Sequence, residues 1–175
     1  MILALLRSSI TRITAVGMML LALQNTIFAD MRPAGVALQV MLAFAAAAGA
    51  AGGSERGASA GFILGLLFDL GTGGPLGASS ITMGLAGYVA GYVALINIER
   101  QWWLAAIFVA VGSAVGELGV PVVRSFIGDA NVYTDRLYII VPLVAFAAAV
   151  ASPLLVPVSR WCLRLGTTEW KAPPE

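Results

Sequence analysis

The sequence contains no histidine and a single cysteine, Cys162, among its 175 residues. A disulfide within the chain is therefore impossible, and a metal site built from histidine and cysteine is excluded. Catalytic pairs of serine or cysteine with histidine are excluded for the same reason. We expect no catalytic residues, no metal site and no cofactor, and we predict that the protein is not an enzyme.

Charged residues are also scarce. They make up 11% of the chain, whereas hydrophobic residues make up 59%; a soluble domain usually carries about 25% charged residues. Because so few charges cannot cover a surface in water, we expect lipid to receive most of the apolar side chains. The net charge of +1 gives no basic footprint, so no nucleic-acid partner is predicted.

Apolar runs of membrane-spanning length recur along the chain, and a membrane helix needs roughly 20 mainly apolar residues. We predict an all-α, polytopic integral membrane protein, with one transmembrane domain over residues 1–175 and about six spans at 13–29, 34–52, 57–70, 76–98, 102–123 and 137–163. The third span is short, rising only ~20 Å at about 1.5 Å per residue. The sixth contains three prolines, so we expect kinks and consider an early exit from the membrane near Pro153.

The first span has the positively charged start and apolar middle of a signal peptide, so cleavage is an alternative. Ile27-Phe28-Ala29 is a poor small-x-small cleavage site, and a retained helix gives an even number of spans. We favour retention.

Lysine and arginine are distributed unevenly between the predicted loops. With the N-terminus in the cytoplasm, seven of the ten basic residues lie in cytoplasmic segments, and only Arg32, Arg124 and Arg136 lie outside. The positive-inside rule therefore predicts that both termini are cytoplasmic. Trp102, Trp103 and Trp161 would then lie at the inner membrane interface, as expected of an aromatic belt.

Glycines recur at intervals of four residues on three of the predicted helices: Gly57, Gly61 and Gly65, then Gly87 and Gly91, then Gly112 and Gly116. Glycines four apart lie on one helix face and let two backbones approach closely. Packing within the monomer is one explanation. An interface with another membrane protein is the other, and both can hold together.

Two acidic residues, Asp69 and Glu117, lie within apolar runs. Each is roughly 20 Å along its helix from the predicted inner end, so the two carboxylates should have similar depth near the outer side. One hypothesis is a shared site for proton or cation coupling. The simpler alternatives are that Asp69 caps the following turn and that Glu117 pairs with Arg124, two helical turns later.

The turn Gly71-Thr72-Gly73-Gly74-Pro75 has no following lysine and no flanking strand, so it is not a phosphate-binding loop. Its glycines permit positive φ in a tight outer loop. Pro75 is well placed to begin the returning helix.

Four motifs follow one another in order: Arg32-Pro33; G-F-x-x-G-L-x-x-D-L from Gly61 to Leu70; P-L-G from Pro75 to Gly77; and G-Y-x-x-G from Gly87 to Gly91. In this order and spacing they resemble the MreD family, the rod-shape-determining membrane proteins of bacteria. The resemblance covers residues 31–92, about a third of the chain.

The resemblance implies a non-enzymatic, multi-pass protein of the bacterial cytoplasmic membrane that belongs to the cell-elongation (rod) complex. Its partners would be an MreC-like protein, RodA with a class B penicillin-binding protein, the actin-like MreB filament and membrane lipid. Its role would be to scaffold lateral peptidoglycan synthesis and so regulate cell shape.

The main alternative is the substrate-binding membrane subunit of a small-molecule uptake transporter, because MreD-like proteins look similar to such six-helix subunits. This function would place a cavity near Asp69 and Glu117. A transporter should carry more polar residues facing a midplane site than this chain offers. A generic small membrane protein of unrelated function is the third possibility.

Overall fold

The computed structural model describes residues 8–27, 39–96, 102–128 and 137–163. Over these ranges the chain is all-helical, with six helices and no strand: α1 Ser9–Thr26, α2 Val40–Gly52, α3 Ser54–Thr72, α4 Ala78–Ile96, α5 Trp102–Ile127 and α6 Leu137–Leu163. The predicted all-α class is confirmed.

Helix α6 has the bounds of the predicted sixth span and continues through Pro142, Pro153 and Pro157 to Leu163, so the helix does not end near Pro153. Helix α5 continues past the predicted end at 123, through Pro121, to Ile127. The predicted residues 28–29, 34–38 and 97–98 lie outside the described part of the chain.

Helix α3 is longer than the predicted third span. It contains 19 residues, or ~28 Å at about 1.5 Å per residue. The polar Ser54, Glu55 and Arg56 form its first turn and not a loop, and Gly71 and Thr72, predicted in the following turn, belong to its end. One residue, Gly53, separates α2 from α3, with φ of 87°. This backbone conformation suits glycine and allows the chain to reverse in a single step.

Helix α2 lies at the centre of the bundle. It packs against all five other helices, and residues 41–49 and Ala51 are buried. Its run of alanines presents small side chains on every face, as expected of a helix surrounded by others. The Gln24 side chain of α1 accepts a hydrogen bond from the backbone amide of Met41, at 3.3 Å, and so satisfies one free amide at the start of α2.

Helices α3 and α4 form a closely packed hairpin along the predicted glycine face. A Cβ atom on Gly57 would clash with the carbonyl oxygen of Gly87, and one on Gly61 would clash with that of Met83. A Cβ on Gly65 would clash with the backbone of Ser79. These glycines therefore serve packing inside the chain.

The other glycine pairs have the same role. A Cβ on Gly87 would clash with the carbonyl of Gly57, and one on Gly91 would clash with the start of α3. On α5, a Cβ on Gly112 would lie 2.6 Å from the carbonyl oxygen of Ala86, and one on Gly116 would lie 2.8 Å from the Cβ of the same alanine. None of the three glycine faces is left free for a partner, so the monomer-packing explanation accounts for them.

The turn between α3 and α4 uses two glycines with positive φ, Gly73 at 68° and Gly77 at 97°. Gly73 ends α3 in the left-handed conformation typical of a helix C-terminus. The expectation that Pro75 begins the returning helix is wrong. Pro75 stays in the turn, its carbonyl accepts a bond from the amide of Ala78, and α4 begins at Ala78.

Helices α5 (over Trp103–Phe126) and α6 are long and apolar enough to cross a membrane, with mean hydropathies of 1.9 and 2.5. Large apolar side chains are exposed at mid-length on the five helices that surround α2, including Met18, Phe62, Leu85, Leu118 and Phe146. The bundle thus has a small-residue centre and an apolar exterior.

Candidate functional site

A cleft of about 140 Å³ opens where α3 and α5 end and where α2 and α4 begin; we call it the turn cleft. Its walls are partly apolar, but six polar side chains line it: Gln39, Asp69, Thr72, Ser79, Thr82 and Arg124. In a chain with so few charged groups, this is the clearest concentration of polar chemistry on the described surface.

Asp69 caps helix α4 from the opposite side of the turn. Only 2% of the residue is exposed. Its Oδ2 accepts a hydrogen bond from the amide of Gly77 at 2.8 Å, and its Oδ1 accepts one from the amide of Ser79 at 3.2 Å. Both carboxylate oxygens are therefore occupied by backbone donors, and the negative charge lies at the positive end of a helix dipole.

The local sequence explains why the cap comes from a distant residue. Gly77 holds the position before α4, where its carbonyl accepts the first helical bond from Ile81 at 3.0 Å. A serine or aspartate at that position would supply its own oxygen to the helix, but glycine has none. The last turns of α3 bring the Asp69 carboxylate to the site.

Glu117 has a different partner from the predicted one. It is 7% exposed, and its Oε2 accepts a hydrogen bond from Nε2 of Gln39 at 3.0 Å. Arg124 attracts the carboxylate electrostatically but is exposed on the cleft wall and does not form the expected pair. The start of α2, 78 residues away in sequence, supplies the bond instead.

The structure brings the two predicted acidic residues to the same end of the bundle, on different helices. Asp69 lines the cleft directly, and Glu117 is joined to it through Gln39. With both acids ionised and Arg124 charged, the group carries a formal net charge of −1. Such a cleft can accommodate a small polar or cationic group, or it can hold a proton on Glu117.

Of the remaining predicted residues, two belong to the turn that borders the cleft and the others lie outside it. Pro75 is part of the lining, and Gly77 donates to Asp69, whereas the seven four-spaced glycines pack helices together. Gln39 was not among the predicted site residues. An isolated amide beside an apolar helix is nevertheless a detectable signal, because a buried amide needs a hydrogen-bond partner.

Other reactive groups in the described ranges do not assemble into a second site. No three histidine, cysteine, aspartate or glutamate residues there lie together as metal ligands, and Cys162 is a buried free thiol. The hydroxyls of Ser80 and Ser113 are buried without a hydrogen-bond partner.

Together, these features define an all-helical bundle with an apolar exterior, a buried central helix and a small polar cleft at one end. No protein-family model, no curated protein and no solved structure matches the chain.

Proposed function

We propose that all six helices cross the bacterial cytoplasmic membrane, with both termini in the cytoplasm. The exposed apolar side chains at mid-length on five helices carry this proposal. Many exposed apolar side chains are unfavourable in water when they form large patches, whereas lipid requires an apolar exterior. If all six helices cross fully, their even number brings both termini to the same side of the membrane.

Aromatic side chains at the ends of the two longest helices support this placement. Trp103 near the start of α5 and Trp161 near the end of α6 are both exposed, and so are Phe126 and Tyr138 at the opposite ends of these helices. Tryptophan and tyrosine favour the two membrane interfaces. The spacing of these side chains along α5 and α6 matches a helix that spans the hydrocarbon layer.

We further propose that the protein is a non-enzymatic scaffold of the cell-elongation complex. Three of the four motifs that resemble MreD fall on the α3–α4 hairpin, where the glycines allow close helix packing and Asp69 caps the start of α4. The fourth, Arg32-Pro33, lies outside the described residues. Because the glycine faces are used inside the chain, partner helices would bind the outward apolar faces. MreC-like, RodA, class B penicillin-binding and MreB-like proteins are the partners implied by the resemblance.

A pull-down tests the scaffold proposal. The tagged full chain is extracted from membranes of the bacterium that encodes it in mild detergent, and co-purifying proteins are identified by mass spectrometry. We expect an MreC-like protein, and we expect depletion of the chain to round rod-shaped cells. Recovery of an ATPase pair and a bound small molecule, without any shape-determining partner, would refute the scaffold.

The turn cleft favours a second candidate function, the substrate-binding subunit of an uptake transporter. Its volume of about 140 Å³ suits a small molecule or one end of a larger one. Native mass spectrometry of the purified chain distinguishes the candidates: a stoichiometric small molecule that Arg124→Ala removes would support transport, and an unliganded chain bound to an MreC-like protein would support the scaffold.

A further inference from the structure

Helix α4 presents an exposed stripe of four large side chains, Ile81, Leu85, Tyr88 and Tyr92, which we call the tyrosine face. Tyr88 is 47% exposed and Tyr92 is 55% exposed. Their rings stack with centroids 6.4 Å apart and planes 13° from parallel. Spacings of four, three and four residues keep all four side chains on one side of the helix.

The tyrosine hydroxyls lie at an unusual depth for a lipid-facing surface. If α4 crosses the membrane as proposed above, Tyr88 is ~15 Å from its start and ~12 Å from its end at about 1.5 Å per residue. Tyr92 is ~21 Å from the start of α4 and ~6 Å from its end on the same basis. Because helical side chains tilt toward the helix N-terminus, the hydroxyl of Tyr92 is directed toward the middle of α4 and that of Tyr88 toward its first half. Tyrosine normally places its hydroxyl at an interface.

Neither hydroxyl forms a hydrogen bond within the part of the chain that the structure describes. Lipid tails offer no partner either, and an unsatisfied polar group in hydrocarbon is costly. A protein surface that supplies donors and acceptors at the same depth would remove this cost.

Gly84, one turn before Tyr88, lies between the tyrosine face and helix α3. The nearest atom to a Cβ placed there would be the carbonyl oxygen of Ala58 at 3.5 Å, an ordinary van der Waals distance. Packing within the chain therefore does not require glycine at this position, in contrast to Gly87 and Gly91. Gly84 is half-buried, and the lack of a side chain there lets another helix come close to the α4 backbone beside the tyrosine pair.

We infer that the tyrosine face is the contact surface between two copies of this chain, which lie side by side in the same membrane orientation. This inference rests on the membrane placement proposed above, but not on any role in cell elongation. A two-fold axis along the membrane normal keeps each residue at equal depth in both copies. The hydroxyls of Tyr88 and Tyr92 in one copy therefore lie at the same depth as those in the other. A phenol both donates and accepts a hydrogen bond, so two tyrosine pairs satisfy one another.

Energy transfer between copies of the full chain tests the inference. Copies with donor or acceptor dyes on terminal tags are mixed in lipid vesicles, and the dissociation constant is measured by dilution with lipid. We expect a dimer in the original chain, and about tenfold weaker association when Tyr88→Phe and Tyr92→Phe are combined, because interhelical hydrogen bonds are lost while the rings remain. Gly84→Leu should abolish association.

The matched control is Tyr138→Phe, which removes an exposed tyrosine hydroxyl from α6 and should leave the dissociation constant unchanged. Oxidative crosslinking gives a second measurement in a Cys162→Ser background. Leu85→Cys should crosslink two copies, whereas Phe146→Cys, exposed on α6, should not. Unchanged thermal unfolding shows that each variant is folded, and the phenylalanine variant decides the matter if Gly84→Leu does not fold.

Several outcomes overturn the inference: a monomer in vesicles, an unchanged dissociation constant without the two hydroxyls, or equal crosslinking at Leu85→Cys and Phe146→Cys. A monomer whose recovery of an MreC-like protein falls with the phenylalanine variant would assign the tyrosine face to that partner and refute the dimer alone. A retained dimer without any shape-determining partner would refute the scaffold and leave the dimer intact.

Discussion

At the scale of single residues, Asp69 shows how an acidic side chain can serve a structural role in an apolar chain. Its two carboxylate oxygens accept separate hydrogen bonds from the amides of Gly77 and Ser79. Backbone donors at the start of α4 therefore stabilise its negative charge. Glu117 is satisfied less completely, by one bond from Gln39. Of the two acids, Glu117 is therefore the better candidate for proton or ligand chemistry.

Replacement of Asp69 tests the capping role. Asp69→Asn keeps one acceptor oxygen and should reduce stability modestly, whereas Asp69→Ala leaves two amides unpaired and should cost about 1–2 kcal/mol. Thermal unfolding in detergent gives the comparison. Glu55→Ala, an exposed acid in the first turn of α3, is the control and should change stability by less than about 0.5 kcal/mol. Normal stability of Asp69→Asn with loss of partner binding would assign Asp69 a contact role instead.

Two glycines on α4 allow a test of the packing argument with the same substitution. Gly87→Ala places a methyl group against the carbonyl of Gly57 and should destabilise the protein by about 1–3 kcal/mol through overpacking. Gly84→Ala has ordinary van der Waals room and should be neutral or stabilising, because alanine favours helix by about 1 kcal/mol. Equal unfolding temperatures for the two variants would contradict the close α3–α4 contact.

At the scale of helices, one contact between distant parts of the sequence joins α1 to α6. The guanidinium of Arg12 on α1 stacks on the Trp161 ring of α6 at 4.7 Å, and its Nη1 donates to the Trp161 carbonyl at 3.1 Å. This contact joins the first and last described helices. Both ends lie on the side of the bundle that we assign to the cytoplasm, where arginine is preferred.

Arg12→Ala should loosen α1 from α6. A cation–π contact is worth about 0.5–2 kcal/mol, so we expect a lower unfolding temperature and faster protease cleavage near α1. Arg160→Ala, which removes an exposed arginine close to Trp161, is the control and should leave both measurements unchanged. If both variants behave alike, net charge and not the stacked pair explains the effect.

At the scale of the whole molecule, small side chains fill the interior and large apolar side chains cover the exterior. The central helix α2 is alanine-rich and buried, while the surrounding helices expose leucine, phenylalanine and methionine. Such an arrangement suits a solvent of hydrocarbon, in which helices associate by close packing of small residues and not by burial of large apolar ones.

The proposed topology predicts which connections face the cell exterior. In a Cys162→Ser background, a membrane-impermeant maleimide should label Leu76→Cys, in the α3–α4 turn, on intact spheroplasts. Glu55→Cys, at the junction of α2 and α3, should react only after the membrane is permeabilised. Both side chains are exposed, so accessibility in the protein itself does not limit labelling. Labelling of both positions before permeabilisation would refute full crossing by α3.

The helices were predictable where composition changes sharply. An apolar run bounded by polar residues predicted the limits of α6 correctly, because the hydropathy of a run is a local property of the sequence. The start of α3 was missed because Ser54, Glu55 and Arg56 are typical both of loops and of first helical turns. Only the backbone of Gly53, with φ of 87°, shows that no loop is needed.

The sequence by itself determined the all-helical class, the apolar exterior, the lack of histidine chemistry and the spacing of the glycine faces, because these depend on composition and on helical period. Only the tertiary structure decided what each feature contacts. Gly57 meets Gly87, Asp69 caps α4, and Gln39 binds Glu117. These pairings join residues from different helices, and helical period specifies which face a residue occupies but not which helix lies against that face.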